Sequence, residues 1–256
     1  MWPPSFWYKI YEPFIRMAAG FGEASIKHDK ERYEHKYEYC DLLITGSGPS
    51  GLASAYAAAK NGARVILAED KPRFGGSLLT SDVNIGNQTG VEWTEKIIAE
   101  LKSMPNVTVK NRSQVFGYYD HNMLVMSERI SDHLPKTQKY LPKQRLWYIR
   151  ANEVLISSGS IERPLVFGNN DTPGVMLSSA AKEYMKVYGV LVGKKPLIFT
   201  NNDSGYETAI EFKKNGVNPI ILDTRSNPSS DIITEAKNLN IEIRFSYVVV
   251  AAKGYK

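Results

Sequence analysis

The sequence predicts an α/β fold: a Rossmann-like doubly wound parallel sheet with an antiparallel β layer, followed by a second, incomplete Rossmann-like domain. Three observations predict it. A strand, glycine turn, helix and strand follow one another from Asp41. Short strand-like segments crowd together between Val107 and Ser157. The strand–turn–helix–strand pattern then recurs from Pro196. Strands alternating with helices imply a parallel sheet. The 256 residues, 43% hydrophobic, exclude a disordered or collagen-like chain and suffice for one or two domains.

Residues 1–24 are rich in aromatics and prolines, with a short helical stretch from Phe14 to Ala19. So many large apolar groups need a cover. They read either as an arm packed on the domain behind it or as a junction that follows another domain. Residues 25–38 read as a charged linker. The domain reading is therefore an arm and linker over 1–38, a first dinucleotide-binding domain over 39–190, and a degenerate, truncated second domain over 191–256.

Asp41 to Thr45 is a short apolar strand. Gly46 to Gly51 is a glycine turn, and the alanine-rich run Leu52 to Lys60 is a helix that Asn61-Gly62 ends with a left-handed cap. Arg64 to Ala68 is a second buried strand, ending in Glu69-Asp70. A helix over Thr94 to Lys102 precedes strands at Val107 to Lys110, Ser113 to Tyr119 and Met123 to Glu128. The last two are joined by a hairpin turn at Asp120-His121-Asn122. Gln144 to Arg150 and Glu153 to Ser157 are further strands. Ser178 to Tyr188 is a helix, Pro196 to Thr200 a strand, Tyr206 to Asn215 a helix, Pro219 to Asp223 a strand, and a last strand begins at Glu242.

Gly46-Ser47-Gly48-Pro49-Ser50-Gly51 is GxGxxG. It follows a strand, opens a helix, and has an acid about 20 residues on, the context a dinucleotide site requires. Gly46 permits the tight turn, Gly48 lets backbone approach a pyrophosphate, and Gly51 lets helix and strand pack closely. The helix start offers free N–H groups to the phosphates. Glu69 is expected to accept from the adenosine ribose. That favours NAD or FAD over NADP, whose 2′-phosphate would meet a carboxylate, an objection Lys71 or Arg73 could soften. Gly75-Gly76-Ser77 lets the chain pass close to the ligand, and Leu155 to Gly159 resembles the turn that closes such a site.

The second unit departs from this pattern. Thr200-Asn201-Asn202-Asp203-Ser204-Gly205 keeps only the last glycine, so its nucleotide site is expected to be lost or weakened.

Other chemistries are poorly served. One cysteine, Cys40, excludes an internal disulfide, a CxxC pair and a multi-cysteine metal site. His28, His35, His121 and His133 have no metal spacing and read as surface residues. The excess of 32 basic over 27 acidic residues is mild and mixed, which argues against nucleic acid. No apolar run approaches a membrane span. Without a signal-like start, a cytoplasmic location is expected. Catalytic residues stay unassigned.

Several stretches together carry a family likeness: DLLITGSGPSGLASAYAAAKNGARVILAEDKPRFGGSLL, VFGYYDHN, ERISDHLP, QRLWYIRANEVLISSGSIERPLVF, FTNNDSGYETA and WYKIYEPFIRMAAGFG. They resemble the nucleotide-binding region of the alpha subunit of heterotetrameric sarcosine oxidase. The resemblance implies a two-domain fold of the glutathione-reductase type, with NAD in the first site where those relatives hold FAD. It implies a complex that oxidatively demethylates sarcosine to glycine, making hydrogen peroxide and 5,10-methylenetetrahydrofolate. Beta, gamma and delta subunits would be the partners, with flavins, zinc and tetrahydrofolate bound elsewhere in that assembly. By position, Ser50, Glu69, Asp70, Lys71, Ser77 and Val115 would line the NAD. Family alpha subunits are several times longer, so the chain reads as a fragment or a truncated frame. Two other readings remain at this stage: an FAD-binding subunit of an opine-type or cyanide-forming amine dehydrogenase, and a nucleotide-stabilised scaffold without redox chemistry.

Overall fold

A computed structural model describes residues 3–22, 27–135 and 140–254. Trp2, part of the aromatic opening, lies outside them. Helix α1 spans Glu12–Ala18 and is preceded by a 3-10 turn, Pro4–Phe6, and a π turn, Trp7–Tyr11. Then come β1 (Tyr33–Thr45), α2 (Pro49–Lys60), β2 (Val65–Ala68), the short strands β3 (Asn84–Ile85) and β4 (Gln88–Thr89), α3 (Gly90–Ser103), β5 (Val107–Lys110), β6 (Ser113–Tyr119), β7 (Met123–Arg129) and β8 (Gln144–Ile156). The second unit has α4 (Ser178–Tyr188), β9 (Leu197–Thr200), α5 (Ser204–Lys214), β10 (Ile220–Asp223), α6 (Asp231–Asn238) and β11 (Glu242–Phe245).

The first unit is one six-stranded sheet in the order β5-β2-β1-β8-β7-β6. Strands β5, β2, β1 and β8 run parallel, and β7 and β6 add antiparallel. Apolar residues explain both faces. Ile44, Val65 and Leu67 point to one side, against Leu52 and Ala55 of α2 and Ile97 and Leu101 of α3. Leu43, Ile66 and Ala68 point to the other, where Leu124 and Met126 of β7 and Trp147 and Ile149 of β8 cover them. The antiparallel strands therefore extend the sheet and also close its second face. Cys40 is buried there, and its thiol is pushed up to about 12 by burial. It packs as a small apolar group.

Several expected boundaries move. Helix α4, expected within the first domain over 39–190, packs Ala181 and Met185 into the core of the second unit. Part of the charged linker is strand: β1 begins at Tyr33 and pairs with β8 from Tyr33–Gln144 to Thr45–Ile156. The two strands expected at 144–150 and 153–157 are likewise the single strand β8. Exposed polar and tyrosine residues fill this ribbon, where ladder bonds and ion pairs such as Arg145–Glu34 at 2.9 Å stand in for an apolar face. The second unit is a three-stranded parallel sheet in the order β11-β10-β9. Its core joins Met185 of α4, Tyr206 and Phe212 of α5, Ile233 of α6 and Ile221 of β10. Of the two readings of the N-terminal arm, the one that packs it on the domain behind it is not what residues 4–18 do. No residue of 4–18 is buried, and Phe14, Met17 and Phe21 are open to solvent.

Candidate functional site

The two units face each other across a cleft of about 2410 Å³. Its floor is the turn between β1 and α2. Gly46 has φ of +98°, and a Cβ there would stand 2.3 Å from the Ser157 carbonyl oxygen. The turn thus seats against the loop that leaves β8, whose Ser157 N–H donates to Thr45 at 2.8 Å. Gly51 is buried under the turn, and a Cβ there would stand 2.0 Å from the Gly46 oxygen. Gly48 differs: a Cβ on it would meet nothing within 4 Å. The space above its backbone is open to the cleft, beside the uncapped start of α2.

All the residues picked from the sequence converge here. Gly46, Gly48, Ser50, Glu69, Asp70, Lys71, Ser77 and Val115 line the cleft, and Gly51 sits just beneath it. Register explains the placing of Glu69. Thr45 pairs with Ala68, so Glu69, the residue that follows β2, stands opposite Gly46. Gly76 comes close enough to Gly48 that a Cβ on it would lie 2.9 Å from the Gly48 Cα.

The sequence reading missed Ser47. It is fully buried, and both its N–H and its hydroxyl donate to Glu69 Oε2, at 2.9 and 2.5 Å. Its carbonyl accepts from Gly75 N–H at 3.0 Å. Glu69 Oε1 accepts from the Lys71 N–H at 2.9 Å. The acid at the end of β2 therefore holds the glycine turn in place and keeps part of one oxygen for a ligand. Asp70, next along, has an exposed side chain, and its carbonyl accepts from Arg129 at 2.6 Å. The Lys71 ammonium reaches α4, donating to Glu183 at 2.7 Å. Nothing in the local sequence around Lys71 or Glu183 signals that contact across the cleft.

The matching corner of the second unit is built differently. Asp223 pairs with Thr200 and so stands where Glu69 stands in the first unit. Its carboxylate is fully buried, accepting from the Tyr206 hydroxyl at 2.7 Å and from Arg225 at 2.8 Å. Arg225 also pairs with Asp203 at 2.8 Å. The Asn202 side chain accepts from the Ser204 N–H at 2.9 Å, taking a donor that an anion would need. A Cβ on Gly205 would stand 2.8 Å from that of Thr200.

The four histidines are exposed. Among the described residues no group of three metal-ligating side chains gathers, and no helix is long and apolar enough to cross a membrane.

The family model described as "FAD dependent oxidoreductase" matches residues 41–131. The chain is 46% identical over 226 residues to sarcosine oxidase subunit alpha of Rhizobium meliloti, a match covering 88% of this chain and 23% of that protein. It is 35% identical over 233 residues to the subunit of the same name from Corynebacterium sp. strain P-1, covering 90% and 24%. The chain thus spans about a quarter of the length of these relatives. Among solved structures it resembles L-proline dehydrogenase from P. horikoshii, with a TM-score of 0.60 and 21% identity over 82% of this chain and 40% of that one. It also resembles thioredoxin reductase of T. acidophilum, with a TM-score of 0.60 and 17% identity over 85% and 67%. The fold is that of FAD- and NAD(P)-binding Rossmann-type enzymes.

Proposed function

The chain is homologous to one segment of sarcosine oxidase alpha subunits, and from that premise we propose that it is the dinucleotide-holding part of such a subunit. One observation carries the reading. The only fingerprint glycine whose Cβ position is empty, Gly48, lies open beside the start of α2, with Glu69 held at the end of the neighbouring strand. The residues fit an adenine dinucleotide. The N–H groups at the start of α2 would take the pyrophosphate, Glu69 and Asp70 the ribose hydroxyls, and Ser77 and Val115 the walls.

Bound NAD or FAD would supply a ring that accepts or gives a hydride. The chain's own residues bind, orient and shield the ligand. NAD is our assignment, with a structural role in this segment. The larger assembly, with beta, gamma and delta subunits, would oxidise sarcosine to glycine with release of hydrogen peroxide and passage of the one-carbon unit to tetrahydrofolate. The second unit would hold no dinucleotide, because Arg225 and Asn202 already fill its corner. The match of residues 41–131 to an FAD-dependent family favours FAD as the second reading.

The test is retention of ligand by the purified chain. Wild-type protein is expected to release NAD on denaturation, and Gly48→Ala to release little or none. Visible flavin absorbance would favour FAD. Equal retention by both proteins would sink the site.

A further inference from the structure

Lys71 and Glu183 meet at the rim of the cleft from sequence positions 112 apart. Lys71 follows Glu69 by two residues, and its N–H is bound to the Glu69 carboxylate. Lys71 lines the cleft beside Glu69 and Asp70, the corner where an adenosine ribose would sit. There it would be the natural cation for a phosphate on the ribose 2′ oxygen. Instead it is held by Glu183 Oε1 at 2.7 Å, a bond that also raises the lysine above its ordinary value.

Glu183 is fixed in turn. Helix α4 is anchored by buried Ala181 and Met185. Lys186, one turn on, pairs with Asp82 of the first unit at 2.6 Å and with Glu211 of α5 at 3.0 Å.

We propose that Glu183 is a specificity-determining residue of the cleft. By engaging Lys71 it withholds a cation from a 2′-phosphate, and by its own charge it repels one, reserving the site for unphosphorylated adenine dinucleotides. The inference rests on the dinucleotide reading given above.

The experiment uses the full chain, stripped of any co-purified dinucleotide and shown to be folded, with two probes, ADP-ribose and 2′-phospho-ADP-ribose, which represent the adenosine half common to NAD and FAD with and without the extra phosphate. Calorimetry gives both dissociation constants. Wild type is expected to prefer ADP-ribose. Glu183→Gln should narrow that preference by roughly threefold or more, the size of one partly exposed ion pair. Adding Lys71→Met should cancel the gain. Glu207→Gln, which removes the same charge from a residue paired with Lys182 on the same helix, should leave the preference unchanged. An unchanged ratio in Glu183→Gln, or an equal shift in Glu207→Gln, overturns the role of Glu183. Failure of wild type to bind either probe overturns the dinucleotide reading itself, and this inference falls with it. Melting temperatures of each variant confirm that the folded chain is being compared.

Discussion

Two glycines of one turn separate folding from binding. At Gly51 a methyl group would lie 2.0 Å from a backbone oxygen, so Gly51→Ala forces the turn apart. A loss of about 1–3 kcal/mol or more in stability is expected, with ligand lost as a consequence. At Gly48 the same methyl meets no protein atom, so Gly48→Ala should leave the melting temperature of the ligand-free chain nearly unchanged and remove only ligand binding and the stability that bound ligand adds. Denaturant unfolding beside ligand titration checks both. A ligand-free Gly48→Ala chain clearly less stable than ligand-free wild type would contradict the geometry. Glu69 mixes the two effects, because its carboxylate accepts two bonds from Ser47 and one from Lys71. Glu69→Ala should cost about 1–3 kcal/mol from the donors it orphans and weaken ligand binding besides. The place of Glu69 in the cleft was legible from spacing. Its grip on Ser47 was not, because the middle positions of the fingerprint carry no rule for their side chains.

At the scale of elements, the two βαβ units reach the same turn by different means. The first uses glycines and leaves its corner open. The second uses side chains: Thr200, Asn202 and the Asp203–Arg225–Asp223 cluster. Burial alone would raise the Asp223 carboxyl, but the bonds from Arg225 and Tyr206 outweigh it and hold it below the ordinary value. A carboxyl lowered on folding adds stability above its unfolded value of about 3.9, and that stability disappears as pH falls through the folded value. The melting temperature should therefore drop more steeply below about pH 4 in wild type than in Asp223→Asn. Equal acid slopes would contradict this. Arg225→Ala should destabilise the second unit by about 2 kcal/mol or more, since it strips a buried carboxylate of its cation. The loss of glycines at 200–205 was readable. The replacement cluster was not, because Arg225 and Asp203 meet only through the register of β9 and β10. Helix α3 shows a signal that could have been used: Thr89 and Glu92 form a capping box, which sets the start at Gly90 rather than Thr94. The early part of β1 does alternate rings at Tyr33, His35, Tyr37 and Tyr39 with charges at Glu34, Lys36 and Glu38, a strand signal masked by the charge of the stretch and by the exposure of most of its side chains.

Across the whole molecule, ion pairs tie the units together around the cleft: Lys71 to Glu183, and Asp82 to Lys186 and Lys214. The N-terminal arm stands apart, with apolar side chains grouped among themselves and none buried within residues 4–18. Removing residues 1–22 should leave the unfolding of the two units unchanged and reduce self-association, since exposed aromatics drive it. Size-exclusion chromatography and thermal melts check this, and a large loss of stability would show that the arm does pack. The fold was legible because its two strand–turn–helix–strand units, the first marked by glycines and alanines, are local in sequence. The cleft between them was not, because it depends on how distant helices meet. On the proposed reading this cleft holds one adenine dinucleotide at the first turn. Mass spectrometry of the small molecules released from the purified full chain, with their amount per chain, tests it most directly. One equivalent of NAD is the predicted result; no dinucleotide after saturation and removal of excess, or two equivalents per chain, would contradict it.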